Sequence, residues 1–531
     1  MTTDFSLPAA AAPDAGRGLV PADLREQAQK LLDGLLHEPW GQTSPSVYET
    51  GRVVSLAPWL TGHEQRLAYL LDSQRPDGGW GAPGGYALVP TLSAVEALLA
   101  SLHEAGPDRP RLAAAAGRGL RLLADLLTRP DLDIPDMPAA DVIAHSLIEA
   151  INRHLDRSPQ PPPGWPAERR LAAPSGLPAD RFVALRRVLG EGADPPEKLL
   201  HALEIIELSE PALARVRPDA SGSVGAAPAA TAAWLARTGR RSPDEPALRF
   251  LEAVVSRHRG PVPCGLPITV FERAWVVSIL GRAGIAVDPP AEVVASLREA
   301  LAEGGTPAGG GLPKDADTTS AALYALGFHQ PPPAPDPLRP FDLGTHFCTW
   351  PGEDGFSVTV NAHVLEAFGH YAAAAPEAPP RYAETVRRLS ALLLEHQRED
   401  GSWDDRWHAS PYYATACCVL ALRGFGGAIA AAAVEAATRW VLDTQRPDGS
   451  WGRWEGTAEE TAYALQILAS GDRPREERHM RAIARGRARL LTEIDGSAGF
   501  PPLWHDKDLY APTAIVQANI LAALHVSGPL E

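Results

Sequence analysis

An all-α chain of many moderate helices joined by short loops is the fold class that three observations predict. Ala and Leu dominate while alternating β-branched runs are scarce, so little in the sequence asks for a sheet. Apolar residues recur at spacings of three and four along the whole length, which is helix periodicity. The 52 prolines and 47 glycines fall mostly between those apolar runs, as stops and turns.

Taken in order, the chain opens with SLPAAAAPDAGRG (Ser6 to Gly18), whose composition reads as a disordered leader. Helical runs follow in DLREQAQKLLDGLL, SAVEALLASL, KLLHALEIIEL, SAALYAL, NAHVLEAFGHY and TAYALQILA. The 531 residues exceed the ~250–300 at which one core usually stops growing, so two domains or more are expected. With 49 basic against 65 acidic residues the net charge is −16. A chain of that balance lacks the basic face that nucleic acid requires, and an anionic ligand would need a local Arg/Lys cluster. Cys264, Cys348, Cys417 and Cys418 form neither a CxxC pair nor a His–Cys zinc spacing, which reads as reduced thiols in a cytoplasm. No stretch approaches the ~18 apolar residues of a membrane span, and no stable membrane insertion is expected.

One segment recurs: LLDSQRPDGGWG ending at Gly81, LLLEHQREDGSWDD ending at Asp405, and VLDTQRPDGSWGRW ending at Trp454. Each ends an apolar helix, turns at Asp–Gly and presents a Trp that can stack on the next repeat. ARVRPDASGSVGAAPAATAAWL, Ala214 to Leu235, reads as a degenerate copy without the Gln and Trp.

These segments resemble the QW motifs of terpene cyclases that begin by protonating an alkene, the class II cyclases related to squalene–hopene cyclases. SPSVYETGRVV, GLPITVFERAW, DGSWDDRWHASPYYATACCVLAL and LWHDKDLY resemble further segments of that family in the same order. The resemblance implies two α/α-barrel domains, γ inserted after the first helix of β. Boundaries would be a leader and first β helix in 1–40, γ in 41–261 and β in 262–531.

In that setting DADTT, residues 315–319, resembles the motif that carries the proton donor. Taken alone, Asp, Thr and Ser ahead of an apolar run are also what caps a helix. The resemblance makes Asp317 the general acid and Asp315 its support, through hydrogen bonding and like-charge coupling. Thr318 departs from the usual third carboxylate. Asn361 in SVTVNAHVL matches an Asn that orients the donor carboxyl in plant-type relatives, though a helix Asn bonded to backbone fits as well. His201 in KLLHALE resembles a histidine that helps remove the final proton, but its Asn partner position is Cys264 here.

Aromatics would line the cation's path, with Trp275, Phe347, Trp350, Trp407, Tyr412 and Tyr413 as candidates. The metal-binding motifs that expel diphosphate in class I enzymes are missing from the sequence, so the diphosphate should survive into the product. Lys507, Arg181, Arg186 and Arg187 are the candidates to hold it, together with Mg²⁺ whose ligands the sequence does not name; no organic cofactor is implied. A downstream class I synthase or phosphatase would consume the product. Thr318 and the missing Asn favour farnesyl diphosphate and a drimenyl-type product, with geranylgeranyl diphosphate and a copalyl- or halimane-type product as the alternative. A non-catalytic α/α toroid and a zinc-dependent prenyltransferase-like barrel are the readings from other classes.

Overall fold

The computed structural model describes residues 21–528 apart from 104–107, 159, 174–175, 302–303, 354, 472–475 and 495–498. The leader Ser6–Gly18 lies outside the described residues. Two helical barrels follow from two kinds of helix. One kind is apolar on every side: Leu88–Ser101 is buried at each position from Leu88 to Leu99. The other carries a single stripe, as in Pro380–Glu395, which buries only Tyr382, Leu389, Ser390 and Leu393. A helix that is apolar all round has to be enclosed, and a striped one can face water. The first kind makes most of the inner rings and the second the outer rings, with Ala140–Arg157 a striped helix in an inner position.

In the second barrel the inner ring runs Thr269–Arg282, Ala316–Leu326, Val358–Ala374, Pro411–Phe425, Ala458–Ala469 and Thr513–Val526, each helix packing on the next and the last closing on the first. The N-terminal helix Pro21–Gly34 lies on its outside, across Thr513–Val526 and Thr269–Arg282. The intervening residues form the first barrel. Its inner ring is Val47–Leu56, Leu88–Ser101, Ala140–Arg157, the 3-10 segment Glu197–Ile205 and Pro228–Thr238.

The repeated motif turns out to be a clamp with the same geometry at each copy. The indole N–H of Trp80, Trp403 and Trp451 donates to the carbonyls of Leu70, Leu393 and Val441 at 2.6, 2.8 and 2.7 Å. Those carbonyls belong to the last turns of outer helices, where the regular intrahelical bonds run out. Gln74, Gln397 and Gln445 each bridge their own turn to the next outer helix, at Ala115, Ala433 and Ala482. The turn itself needs glycine: Gly401 sits at φ +95°, and a Cβ there would fall 2.6 Å from the Ala436 carbonyl.

A second regularity was not read from the sequence. At each of seven inner helices a backbone N–H donates to a Thr or Asn in the helix's second turn, from just before the helix in six cases and from a distant part of the chain at Thr50. The pairs are Val262–Thr50, Trp80–Thr91, Val224–Thr231, Thr306–Thr319, Phe347–Asn361, Trp403–Thr415 and Trp451–Thr461, all between 2.9 and 3.1 Å. The degenerate copy lacks the Trp but keeps this bond. Among the described residues the named strands are Trp504–His505 and Leu509–Tyr510, a two-stranded hairpin. Its tip, Asp506–Asp508, enters the junction between the barrels.

Candidate active site

The DADTT segment starts an inner helix, and its residues divide the work. Asp315 is the N-cap: its side chain accepts the Thr318 N–H at 2.6 Å, while Thr319 Oγ1 donates back to the Asp315 carbonyl at 2.6 Å. Burial pushes the Asp315 carboxyl up to about 7, the neighbouring charge of Asp317 adding to it. Asp317 follows in the first turn, turned into the barrel, its side chain 16% exposed. Its Oδ1 lies 2.7 Å from Nδ1 of His363. Burial disfavours a charged imidazole there, but the Asp317 charge overrides it and holds the His363 pKa well above its usual range. Capping and chemistry are therefore both present in one pentapeptide, on different residues.

His363 stands where Asn361 was expected. Asn361 is fully buried and committed to backbone: its Oδ1 accepts from Phe347 N–H, and its Nδ2 donates to the carbonyls of Phe347 and Ser357 at 3.0 and 2.8 Å. Residues two apart point to different sides of a helix, so only one of the pair can reach the acid. The register offered the clue, because Asn361 lies four residues after the cap Ser357, as Thr319 does after Asp315.

Rings surround the pair. Trp275 meets His363 edge to face at 5.2 Å and packs on Phe271 at 4.4 Å. Tyr413, His408, Tyr463 and Trp504 form a stacked group beside them, with Tyr413 on His408 at 4.5 Å. Beneath them the buried Glu459 Oε1 accepts from Trp504 Nε1 at 2.7 Å and from the Tyr463 hydroxyl at 2.9 Å. Tyr412, one residue earlier, points outward onto Trp440 of an outer helix at 4.6 Å, which removes it from the site. Phe347 likewise packs on Phe368 and under Arg388. Trp350 and Trp407 pack edge to face at 5.3 Å, with Lys198 from the first barrel 3.8 Å over the Trp350 ring.

The basic residues expected at the diphosphate are engaged elsewhere. Lys507 is buried and pairs with Glu49 and Glu204 at 2.5 and 2.9 Å, so its charge is spent tying the hairpin tip to the first barrel. His201 is held at both nitrogens, by the Gly225 carbonyl at 2.7 Å and Asp506 Oδ1 at 2.8 Å, and so is not free to position a water. Cys264 is buried beside the same tip, its thiol pushed well up by burial. Arg181 and Arg186, on the helix Asp180–Gly190, pair with Asp141 and Glu149 of Ala140–Arg157 at 3.5 and 3.1 Å, as solvated charges do. What the sequence reading missed is a cavity of about 570 Å³ between the barrels. Arg129, Arg406 and Arg453 line it together with His505 and the carboxylates Asp131, Asp133, Asp136, Asp404 and Asp405; Arg406 pairs with Asp136 at 3.0 Å and Arg129 with Asp125 at 2.6 Å. The three arginines lie far apart in sequence, so no motif announces them.

A single aspartic acid with a histidine behind it, in a ring of aromatics, is the equipment for delivering one proton to an electron-rich carbon. Residues 353–491 match the family described as squalene-hopene cyclase C-terminal domain. The chain is 44% identical to an ent-copalyl diphosphate synthase of Streptomyces sp. (strain KO-3988), covering 95% of this chain and 96% of that protein. It is 42% identical to a labda-7,13-dienyl diphosphate synthase of Streptomyces clavuligerus, over 95% and 93%. The structure of ent-copalyl diphosphate synthase from Streptomyces platensis superposes with a TM-score of 0.90 at 43% identity, covering 95% of this chain and 100% of that one. The chain belongs to the bacterial class II terpene cyclases related to squalene–hopene cyclases. No described helix is long and apolar enough to cross a membrane, and no group of three or more His, Cys, Asp or Glu among the described residues could hold a metal ion.

Proposed function

We propose that this cyclase converts geranylgeranyl diphosphate to a bicyclic labdane-type diphosphate, with Asp317 as the proton donor. The observation that carries the reading is the Asp317–His363 pair at 2.7 Å inside an aromatic-lined barrel end. His363 is bonded through Nδ1 to Oδ1, which leaves Oδ2 to carry the proton, and it stabilises the carboxylate left when that proton goes to the distal alkene. Asp315, its pKa raised by burial to about 7, carries less negative charge near neutral pH than an ordinary carboxylate would. Trp275, Tyr413, Tyr463 and Trp504 offer ring faces to the cation as it migrates.

The C20 substrate replaces the farnesyl expectation drawn from Thr318 and Cys264. The support is the naming of relatives at 41–44% identity as copalyl and labda-7,13-dienyl diphosphate synthases. The diphosphate is assigned to the junction cavity, where Arg129, Arg406 and Arg453 supply charge-assisted donors. Among the described residues no three carboxylates there form a metal site of their own, so Mg²⁺ would be held by one or two of Asp131, Asp133 and Asp136 together with the substrate phosphates. Bound there, Mg²⁺ would neutralise the diphosphate. A separate class I synthase or phosphatase would take the product onward.

The test is to incubate the purified protein with Mg²⁺ and either geranylgeranyl or farnesyl diphosphate, dephosphorylate, and analyse by gas chromatography–mass spectrometry. A bicyclic C20 alcohol, absent with Asp317→Asn, is expected. A bicyclic C15 alcohol alone would return the shorter substrate, and linear alcohols in both tubes would remove the activity.

A further inference from the structure

A carbocation in a dry cavity is stabilised by negative potential nearby, provided that no nucleophile can reach it. The rings beside Asp317 offer faces to the cation, and one charged side chain stands behind them. We propose that Glu459 is a positioning residue of the cyclisation, a buried counter-charge that acts on the carbocation through Tyr463, Trp504 and His408. The inference rests on Asp317 being the donor.

Glu459 and Glu460 begin the inner helix Ala458–Ala469 side by side and do different work. Glu460 makes the cap: its N–H donates to Thr457 Oγ1 at 3.1 Å, and its Oε2 accepts from the Thr457 hydroxyl at 2.8 Å. With that role filled, Glu459 is left to face the rings, 1% exposed. Its Oε1 accepts from Trp504 Nε1 at 2.7 Å, the Tyr463 hydroxyl at 2.9 Å and His408 Nε2 at 3.3 Å. The Ser410 N–H donates to His408 Nδ1 at 3.0 Å, which leaves the ring proton on Nε2 and the imidazole neutral. Among the described residues no Lys or Arg pairs with Glu459, and none bonds its buried Oε2. Three donated bonds and the helix N-terminus hold the charge, with no cation to cancel it.

The three donors surround one further ring. Tyr413 stacks on His408 at 4.5 Å and packs on Trp504 at 4.8 Å and on Tyr463 at 5.5 Å. Tyr413 and Tyr463 line a cavity of the second barrel together with His363 and Trp275. Burial, with the neighbouring Cys417 and Asp317 adding to it, holds the Tyr413 phenol well above its usual range, so this ring lies in the field of the acid. Burial and the Glu459 charge do the same for Tyr463, whose hydroxyl therefore keeps its proton and stays a donor. Donation to an anion pushes electron density into each ring, and a cation is drawn more strongly to its face. In a dry site the charge behind the rings is little screened. The rings also keep Glu459 from the cation itself, which a carboxylate in contact would capture as an ester. No bond to Glu459 forms or breaks. An apolar barrel has no packing reason to bury a carboxylate without a cation, since that costs free energy.

The experiment is steady-state kinetics on Glu459→Gln, which keeps an acceptor at Oε1 and removes the charge. Beside it, binding is measured for a geranylgeranyl diphosphate analogue with a protonated amine in place of the distal alkene carbon that becomes cationic. Glu459→Gln should lower kcat at least ~10-fold with KM about unchanged, the size of one desolvated cation–π contact. The analogue should lose affinity in parallel, because it carries the charge of the cation without its reactivity. Tyr463→Phe keeps Glu459 and breaks one of the three bonds. It should lose part of both quantities, and it decides the matter if Glu459→Gln does not fold. A merely structural Glu459 would lower the melting temperature while kcat per folded enzyme and the affinity of the analogue stayed at wild-type values. That result, or a Tyr463→Phe variant that moves neither quantity, overturns the inference. Wild-type protein that yields only linear product would instead overturn the assignment of Asp317 as donor.

Discussion

At the scale of single residues, His363 and Asn361 separate chemistry from architecture on one turn of helix. Replacing His363 with Ala should cost roughly 10²–10⁴-fold in turnover with thermal unfolding little changed. Replacing Asn361 with Ala strands the Phe347 N–H and the carbonyls of Phe347 and Ser357, which should cost ~1–3 kcal/mol of stability. Cyclisation would persist in the folded fraction, and calorimetry beside a product assay distinguishes the two variants. The same scale carries a pH prediction. Burial raises the Glu272 carboxyl from its ordinary 4.5 to about 7, so between those values the folded state binds more protons than the unfolded one. Its effect on stability is therefore unfavourable above 4.5, and grows as pH rises towards 7. Glu272→Gln, which retains an acceptor for the Gln42 N–H, should raise the melting temperature at pH 8 and leave it nearly unchanged at pH 4. An equal shift at both pH values would contradict this account of Glu272.

At the scale of elements, the clamps explain how helices buried on all sides are held in register. Trp451→Ala removes both a buried indole and its bond to the Val441 carbonyl, and should destabilise by ~3–5 kcal/mol. Thr461→Val removes only the acceptor for the Trp451 N–H and should cost about 1–3 kcal/mol, a difference that denaturant titration resolves. Legibility divides at this scale. The Gln–Asp–Gly–Trp repeat was readable because its parts are contiguous and each has a local mechanism. The Thr/Asn register was not, because its donor lies 7 to 14 residues upstream of the acceptor in six of the seven cases and in another part of the chain for Thr50. DADTT could be read as cap or acid from sequence, and the structure assigns the cap to Asp315, leaving Asp317 to meet His363. Residues that converge only across the barrel junction, such as Arg129 with Arg406 and Arg453, leave no periodic trace at all.

At the scale of the whole molecule, the two barrels meet through the hairpin tip, where Lys507, Glu49, Glu204, His201 and Asp506 form one buried ionic cluster. Removing one partner leaves the others charged and dry, so Lys507→Ala should destabilise by ~3–5 kcal/mol. Loss of activity in that variant should track loss of folded protein, which marks Lys507 as a fastener between barrels and not as a diphosphate ligand. Asp317 lies at the N-terminal end of a second-barrel helix, and the cavity lined by Arg129, Arg406 and Arg453 lies between the barrels. The central claim is that a solvent-derived proton passes from Asp317 to the distal alkene. Its most direct measurement is the reaction in D₂O with geranylgeranyl diphosphate, followed by mass spectrometry and NMR of the dephosphorylated product. The account predicts a bicyclic C20 alcohol carrying one deuterium, on the ring carbon derived from that alkene. A bicyclic product without deuterium at that carbon would contradict it.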